Sequence, residues 1–164
     1  MKARDEAIRE ILARHGREAV YVASTGYVSR AVAAAAGPDH TVFYMQGSMG
    51  LAPAIGLGIA LHTSRPVVVI NGDASLLMAL GATHTIRDHA PGTFFHYVLD
   101  NGCHESVGAQ PSAPLEPSYP GVTEIVKVAL GGKPPRVAIT PEENAHELRE
   151  LLSRERAPAT DARG

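Results

Sequence analysis

The 164-residue chain has a single cysteine, Cys103, which excludes an intrachain disulfide and any metal site built from several cysteines. It has no excess of charge of either sign. Lys+Arg 15 stand against Asp+Glu 17, a formal net charge of −2, so no overall positive field gathers nucleic acid or anionic lipid. Any phosphate binding must be local. Long apolar runs are also missing: the longest weakly polar stretch, Leu51 to Leu61, falls far short of the roughly 20 residues that span a bilayer. The opening Met-Lys-Ala-Arg-Asp-Glu lacks the apolar region of a signal peptide. The expectation is a cytoplasmic protein without a membrane or nucleic-acid partner. No internal repeat and no second core appear, and neither a GxGxxG nor a P-loop pattern is present, which argues against a generic nucleotide-binding flavodoxin-like domain.

What is present reads as one folded domain over residues 1–164, because 45% hydrophobic residues in a chain of this length fill a single core. Short β-rich runs alternate with helical patterns, and Gly, Pro or Asp marks nearly every junction. That alternation predicts an α/β fold, a single doubly wound parallel sheet with helices on both faces. An amphipathic helix over roughly Arg4 to Arg14, with Ile8, Ile11 and Leu12 on one face, leads to a strand at Ala19–Ala23. The segment Ser24-Thr25-Gly26 and a helix carrying Val28 and Val32 follow. A strand at Val42–Met45 leads into Gly47-Ser48-Met49-Gly50 and then a helix through Leu61, whose small residues predict close packing. Val67-Val68-Val69-Ile70 is the β-branched run of a central strand covered on both faces, and it delivers Asn71-Gly72-Asp73 to its carboxyl end.

Ser75 to about Asp88 reads as one helix and Phe94 to Leu99 as a strand ending in Asp100-Asn101-Gly102. The proline-rich stretch from Cys103 to about Pro120 reads as a long functional loop. A helix near Thr123–Leu130 and a strand at Arg136–Ile139 are expected next. Thr140-Pro141-Glu142-Glu143 then opens a last helix reaching about Leu152 with N-cap, N1 proline and capping-box glutamate in order. Its charged stretch from Glu142 to Arg156 reads as a solvated face, and the tail from about residue 155 is expected to fray.

Parallel α/β sheets place ligands beyond the carboxyl ends of their strands, where helix N-termini offer N–H groups to anions. Four such ends are rich in chemistry here: Ser24-Thr25-Gly26, Gly47-Ser48-Met49-Gly50, Gly72-Asp73-Ala74-Ser75 and Asp100-Asn101-Gly102-Cys103. A diphosphate needs backbone that approaches closely and a divalent cation held by few protein oxygens. Asp73 and Asn101 could supply such oxygens. Their separation, 101 − 73 = 28 residues, is what a helix and a return strand occupy between adjacent strand ends. His62, His84, His89 and His96 lack metal-ligand spacing and read as structural or surface groups.

Gly72-Asp73 followed by Asn101 resembles the motif of thiamine-diphosphate-dependent enzymes. More narrowly, Gly47-Ser48-Met49-Gly50, the segment from Gly72 to Leu77 and the segment from Asp100 to Pro111 are similar to those of sulfopyruvate decarboxylase β subunits and phosphonopyruvate decarboxylases. The resemblance covers roughly Val20 to Ile139. It implies thiamine diphosphate and Mg2+ as cofactors, with Asp73, Asn101 and the backbone carbonyl of Cys103 as metal ligands. It implies that Thr25, Gly26, Gly72, Ala74, Ser75 and the Glu105-Ser106 segment surround the diphosphate. Gly47 would offer its carbonyl to the aminopyrimidine, with Ser48 beside it, while Met49 wedges the cofactor into a bent shape.

The family activates that ring with a glutamate from a separate pyrimidine-binding domain, for which this chain has no room. The resemblance therefore implies a hetero-oligomer, two of each subunit or larger, with a partner of similar size and a small anionic 2-oxo acid as substrate. Where the family carries Tyr this chain has His104, which either moves a proton near neutral pH or replaces a wall of the site; both readings stay open. Val107 and Ala109 also depart from the pattern, which leaves the substrate's identity open. Carboligation of the acetolactate type and a non-catalytic regulatory subunit are the alternatives.

Overall fold

The computed structural model describes residues 1–155. In chain order the elements are β1 (Lys2–Ala3), α1 (Arg4–His15), β2 (Val20–Ala23), α2 (Tyr27–Ala35), β3 (Thr41–Tyr44), α3 (Ala52–Ala60), β4 (Val67–Gly72) and α4 (Asp73–Met78). They continue with α5 (Leu80–His89), β5 (Phe94–Asp100), β6 (Cys103–His104), β7 (Gln110–Pro111), β8 (Glu124–Ala129) and α6 (Pro141–Glu155). A wholly parallel six-stranded sheet runs in the order β1-β8-β5-β4-β2-β3, and β6 and β7 form a separate small antiparallel hairpin. The doubly wound α/β architecture expected from the alternation is the one observed. Among the described residues no helix is long and apolar enough to cross a membrane.

The central strands owe their place to residues that gain nothing from water. Val67, Val68, Val69 and Ile70 are fully buried, and alternate side chains serve opposite cores. Val68 and Ile70 pack with Ile8 and Ile11 of α1 and Val32 of α2. Val67 and Val69 pack with Ile59 of α3, and Leu148 and Leu151 of α6 lie against the same cluster. Each fully buried Val or Ile contributes roughly 1.5–3 kcal/mol relative to an exposed one. The small residues of α3 do what the sequence implied: a Cβ on Gly56 would lie 2.4 Å from Val69 Cγ2, so only glycine lets the helix sit this close to β4.

Several expectations are corrected. Thr123–Leu130 is not a helix; Glu124–Ala129 is strand β8, paired with β5 from Tyr97↔Glu124 to Asp100↔Lys127 and with β1 on its other side. Its β-branched Ile125, Val126 and Val128 suit a pleated surface, and the open edge of β5 offers a ladder that outweighs helical spacing. Arg136–Ile139 forms no strand. Pro134 and Pro135 precede it, and the sheet edge at β3 is already capped by a side chain: Asn144 Nδ2 donates to the Val42 carbonyl at 2.7 Å, and its Oδ1 accepts the Tyr44 N–H at 2.8 Å. The expected single helix from Ser75 to Asp88 begins earlier, at Asp73, and breaks at Ala79 (φ −141°, ψ 43°). Gly50 packs on that break, where its own Cβ would lie 3.1 Å from Met78 Cβ. The stretch after Cys103 contains the β6–β7 hairpin and a 3-10 turn at Glu105–Val107, and is otherwise irregular. The capping box of α6 forms as expected, Thr140 Oγ1 accepting the Glu143 N–H at 3.2 Å. The tail lies outside the described residues.

Candidate active site

Strand order decides which loops can meet. β5, β4 and β2 are neighbours, so the loops following them converge at one end of the sheet, where a cleft opens. Thr25 enters its lining from the loop after β2, and Met49 from the turn after β3. The junction of β4 and α4 contributes Gly72, Asp73, Ala74 and Ser75, and the loop after β5 contributes Asn101, Cys103, His104, Glu105 and Ser106. Gly26 lines a neighbouring cleft instead. Gly47 and Ser48 are exposed on the turn that carries Met49 and belong to the lining of neither. Gly26 also joins the two loops: it has φ +82°, and a Cβ there would lie 2.9 Å from Ser106 Oγ.

Asp73 is the charge that the cleft leaves uncompensated. It is 2% exposed, and among the described residues the only side-chain hydrogen bond to its carboxylate comes from Ser112 Oγ. No Lys, Arg or His of the described residues pairs with it. The Ser112 N–H meanwhile donates to the Gly102 carbonyl at 3.0 Å, which ties Asp73 to the Asn101-Gly102 turn. A buried carboxylate without a cation is costly, and a hard divalent ion with oxygen ligands is the compensation that this donor set fits.

Asn101 is aimed by its neighbours. Its Nδ2 donates to Glu105 Oε2 at 3.1 Å, which fixes the amide's orientation, while its Oδ1 accepts the Cys103 N–H at 3.2 Å and keeps a second lone pair. Glu105 is held in turn on all sides. Arg4 Nη1 donates to Oε2 at 3.0 Å, and the N–H groups of Gly131 and Gly132 donate to Oε1 at 3.1 and 3.0 Å. Arg4 is 3% exposed and also donates from Nη2 to the Gly132 carbonyl at 3.1 Å. Its positive charge is therefore already engaged. Sequence reasoning missed Arg4 because it sits 101 residues from Glu105, within an ordinary amphipathic helix start. Only the fold brings the two together.

The hydroxyls and the thiol are also committed. Ser75 Oγ lies 3.0 Å from Ser24 Oγ and accepts the Gly50 N–H at 3.0 Å, so it locks the turn after β3 onto α4. Ser48 in that turn has φ 54°. Burial pushes the Cys103 thiol up, and the nearby Glu105 and Asp73 carboxylates push it further, so it stays protonated near neutral pH. His104 is half-buried in the cleft wall. His96, a residue of β5, is fully buried, and desolvation lowers its pKa to about 4, while His62, His84 and His89 are exposed.

A doubly wound parallel sheet whose carboxyl-end cleft presents an uncompensated buried Asp beside an oriented Asn defines the class: an α/β cofactor-binding domain suited to a metal-bridged anion. The chain belongs to the thiamine pyrophosphate enzyme family, matching its C-terminal TPP-binding domain over residues 22–159.

It is 50% identical over 104 residues to a phosphonopyruvate decarboxylase of Streptomyces viridochromogenes, covering 63% of this chain and 26% of that protein. To a sulfopyruvate decarboxylase subunit beta of Methanocaldococcus jannaschii it is 37% identical over 107 residues, covering 65% of this chain and 56% of the relative. The matches thus span only part of these relatives' length. The X-ray structure of a Mycobacterium smegmatis protein described as thiamin diphosphate-dependent shares the fold, with a TM-score of 0.54 at 20% identity over 70% of this chain and 24% of that one.

Proposed function

We propose that this chain is the diphosphate- and Mg2+-binding subunit of a thiamine-diphosphate-dependent decarboxylase. Its substrate would be a 2-oxo acid with a second anionic group, sulfopyruvate or phosphonopyruvate, converted to the aldehyde and CO2. The observation that carries this reading is Asp73, buried without a cation partner among the described residues in the same cleft as Asn101. When bound, thiamine diphosphate supplies the nucleophilic carbon and the electron sink that decarboxylation needs.

This chain's own work is to bind and orient. Asp73, Asn101 Oδ1 and the Cys103 carbonyl would hold the metal; Cys103 would contribute backbone, since burial keeps its thiol protonated near neutral pH. Backbone N–H groups of Thr25, Ala74, Ser75 and the Glu105-Ser106 segment would hold the diphosphate, with Gly26 at the boundary to the second cleft, and Gly72 would let the chain approach it. The Ser75 hydroxyl and the Glu105 carboxylate act by positioning, because each is engaged within the protein. Gly47 and Ser48, on the exposed turn, would meet the aminopyrimidine, and Met49 would support the cofactor from the cleft wall. His104, in the cleft wall, either moves a proton or replaces a wall of the site.

A partner of comparable size supplies the pyrimidine-binding glutamate, in a cytoplasmic hetero-oligomer. The subunit naming of the sulfopyruvate decarboxylase relatives supports this. Exposed Leu51, Met78 and Leu80 around the turn and helices that flank Met49 support it as well. The test is reconstitution with the partner, Mg2+, thiamine diphosphate and each 2-oxo acid. Release of CO2 with the matching aldehyde is expected, and its loss in Asp73→Ala; undiminished turnover in that variant would refute the reading.

A further inference from the structure

Tyr27 stands between two arginines with different fates. The Arg4 guanidinium lies 5.9 Å from its ring centroid and the Arg30 guanidinium 5.6 Å. Arg4 is neutralised by Glu105. Arg30 has no carboxylate partner among the described residues, and its Nη1 is buried without a hydrogen-bond acceptor. It lines a second cleft with Thr25, Gly26, Ser29 and Arg136. Arg136, on the segment leading to α6, is likewise unpaired among the described residues. Ser29 is 3% exposed, yet its Oγ has no hydrogen-bond partner among the described residues. The nine-residue helix α2 begins at this cleft, and its N-cap, Gly26, has no side chain to cap the first-turn N–H groups.

Every one of these features is a donor or a positive charge awaiting an acceptor. Buried hydroxyls and guanidinium N–H groups are ordinarily satisfied, so their vacancy together points to a ligand. Arg30, the Ser29 hydroxyl and the start of α2 belong to one helix, and Arg136 approaches from the segment leading to α6. A tetrahedral oxyanion matches them better than a planar carboxylate, because its oxygens point in several directions. Thr25 lies in the lining of both clefts, so the oxyanion would sit beside the ligand of the first. We infer that Ser29, Arg30 and Arg136 recognise the phosphonate or sulfonate group of the substrate. The substrate part of this inference rests on the proposed function. The cofactor's diphosphate carries the same chemistry, and the test separates the two.

The full-length chain is titrated with methylphosphonate and methanesulfonate while its arginine side-chain NMR signals are followed. Thiamine diphosphate with Mg2+ is titrated separately by calorimetry, and KM and kcat are measured in the reconstituted enzyme. Arg30→Met and the exposed-site variant Arg136→Met should each weaken the methyl oxyanions about tenfold or more. Both should raise KM with kcat little changed and leave thiamine diphosphate affinity as it was. Ser29→Ala should show the same pattern in smaller measure. Unchanged oxyanion binding in both arginine variants overturns the site. A parallel loss of thiamine diphosphate affinity overturns the substrate assignment and gives the cleft to the diphosphate. If the wild-type chain failed to bind thiamine diphosphate, the reading of the first cleft would fall, and the methylphosphonate titration would still decide the second.

Discussion

The two clefts at the carboxyl end of the sheet share Thr25 but carry opposite unsatisfied charges. In the first, the one arginine is neutralised by Glu105, and the buried carboxylate of Asp73 is left over. In the second, Arg30 and Arg136 have no carboxylate, and a buried serine hydroxyl has no partner among the described residues. A carboxylate left over calls for a cation, and guanidinium groups left over call for an anion. Net charge would never reveal this, because a chain at −2 overall can still hold a local site of each sign.

The largest way to break this contrast is to remove the leftover anion. Asp73→Ala should cost more metal-dependent cofactor affinity than the roughly 10–100-fold typical of residues that only support a ligand, and turnover should vanish with it, as calorimetry and CO2 release would show. Oxyanion binding at Arg30 should survive that change.

Next comes Arg4. Arg4→Met strands the Glu105 carboxylate, which should cost roughly 3–5 kcal/mol in urea unfolding. Because Glu105 orients Asn101, metal affinity should also fall by about 10–100-fold. Pairing Arg4→Met with Glu105→Gln should recover part of the stability, since no charge is then stranded.

Acid should act below both clefts, on the core. His96 titrates near 6.5 when unfolded and at about 4 when folded, so the unfolded chain binds the proton first as pH falls. Stability is therefore full above about pH 6.5 and declines between about 6.5 and 4, by roughly 3 kcal/mol in all. His96→Gln should flatten that decline in urea midpoints measured across pH. An unchanged slope would assign the acid sensitivity to the clefts instead.

The smallest effect sits at Gly26, which lines the second cleft and packs against Ser106 of the first. Gly26→Ala forces a side chain at φ +82° against Ser106, which should cost roughly 1–3 kcal/mol. Unlike Arg30→Met, it should weaken methylphosphonate and thiamine diphosphate together.

Where the signal is local, the sequence was readable. The β-branched run from Val67 to Ile70, the capping box at Thr140 and the strand ends carrying Asp73 and Asn101 all appear where their residues imply. Where a distant partner decides, it was not. Glu124–Ala129 has helical spacing until β5 offers it a ladder, and Arg136–Ile139 looks like a strand until Asn144 occupies the edge it would need. Nothing near Arg4 announces Glu105, and nothing near Arg30 announces that no carboxylate of the described residues reaches it. The metal-suited cleft was thus legible from motif and spacing, while the second cleft emerges only from unpaired atoms in the folded chain.

The most direct measurement of the central claim is a calorimetric titration of thiamine diphosphate into the full-length chain, run with Mg2+, with a chelator, and with Asp73→Ala in Mg2+. The expected result is tight binding in the first case and its loss in both others. Equal affinity in all three would contradict the assignment of Asp73 and Asn101 to one shared metal ion.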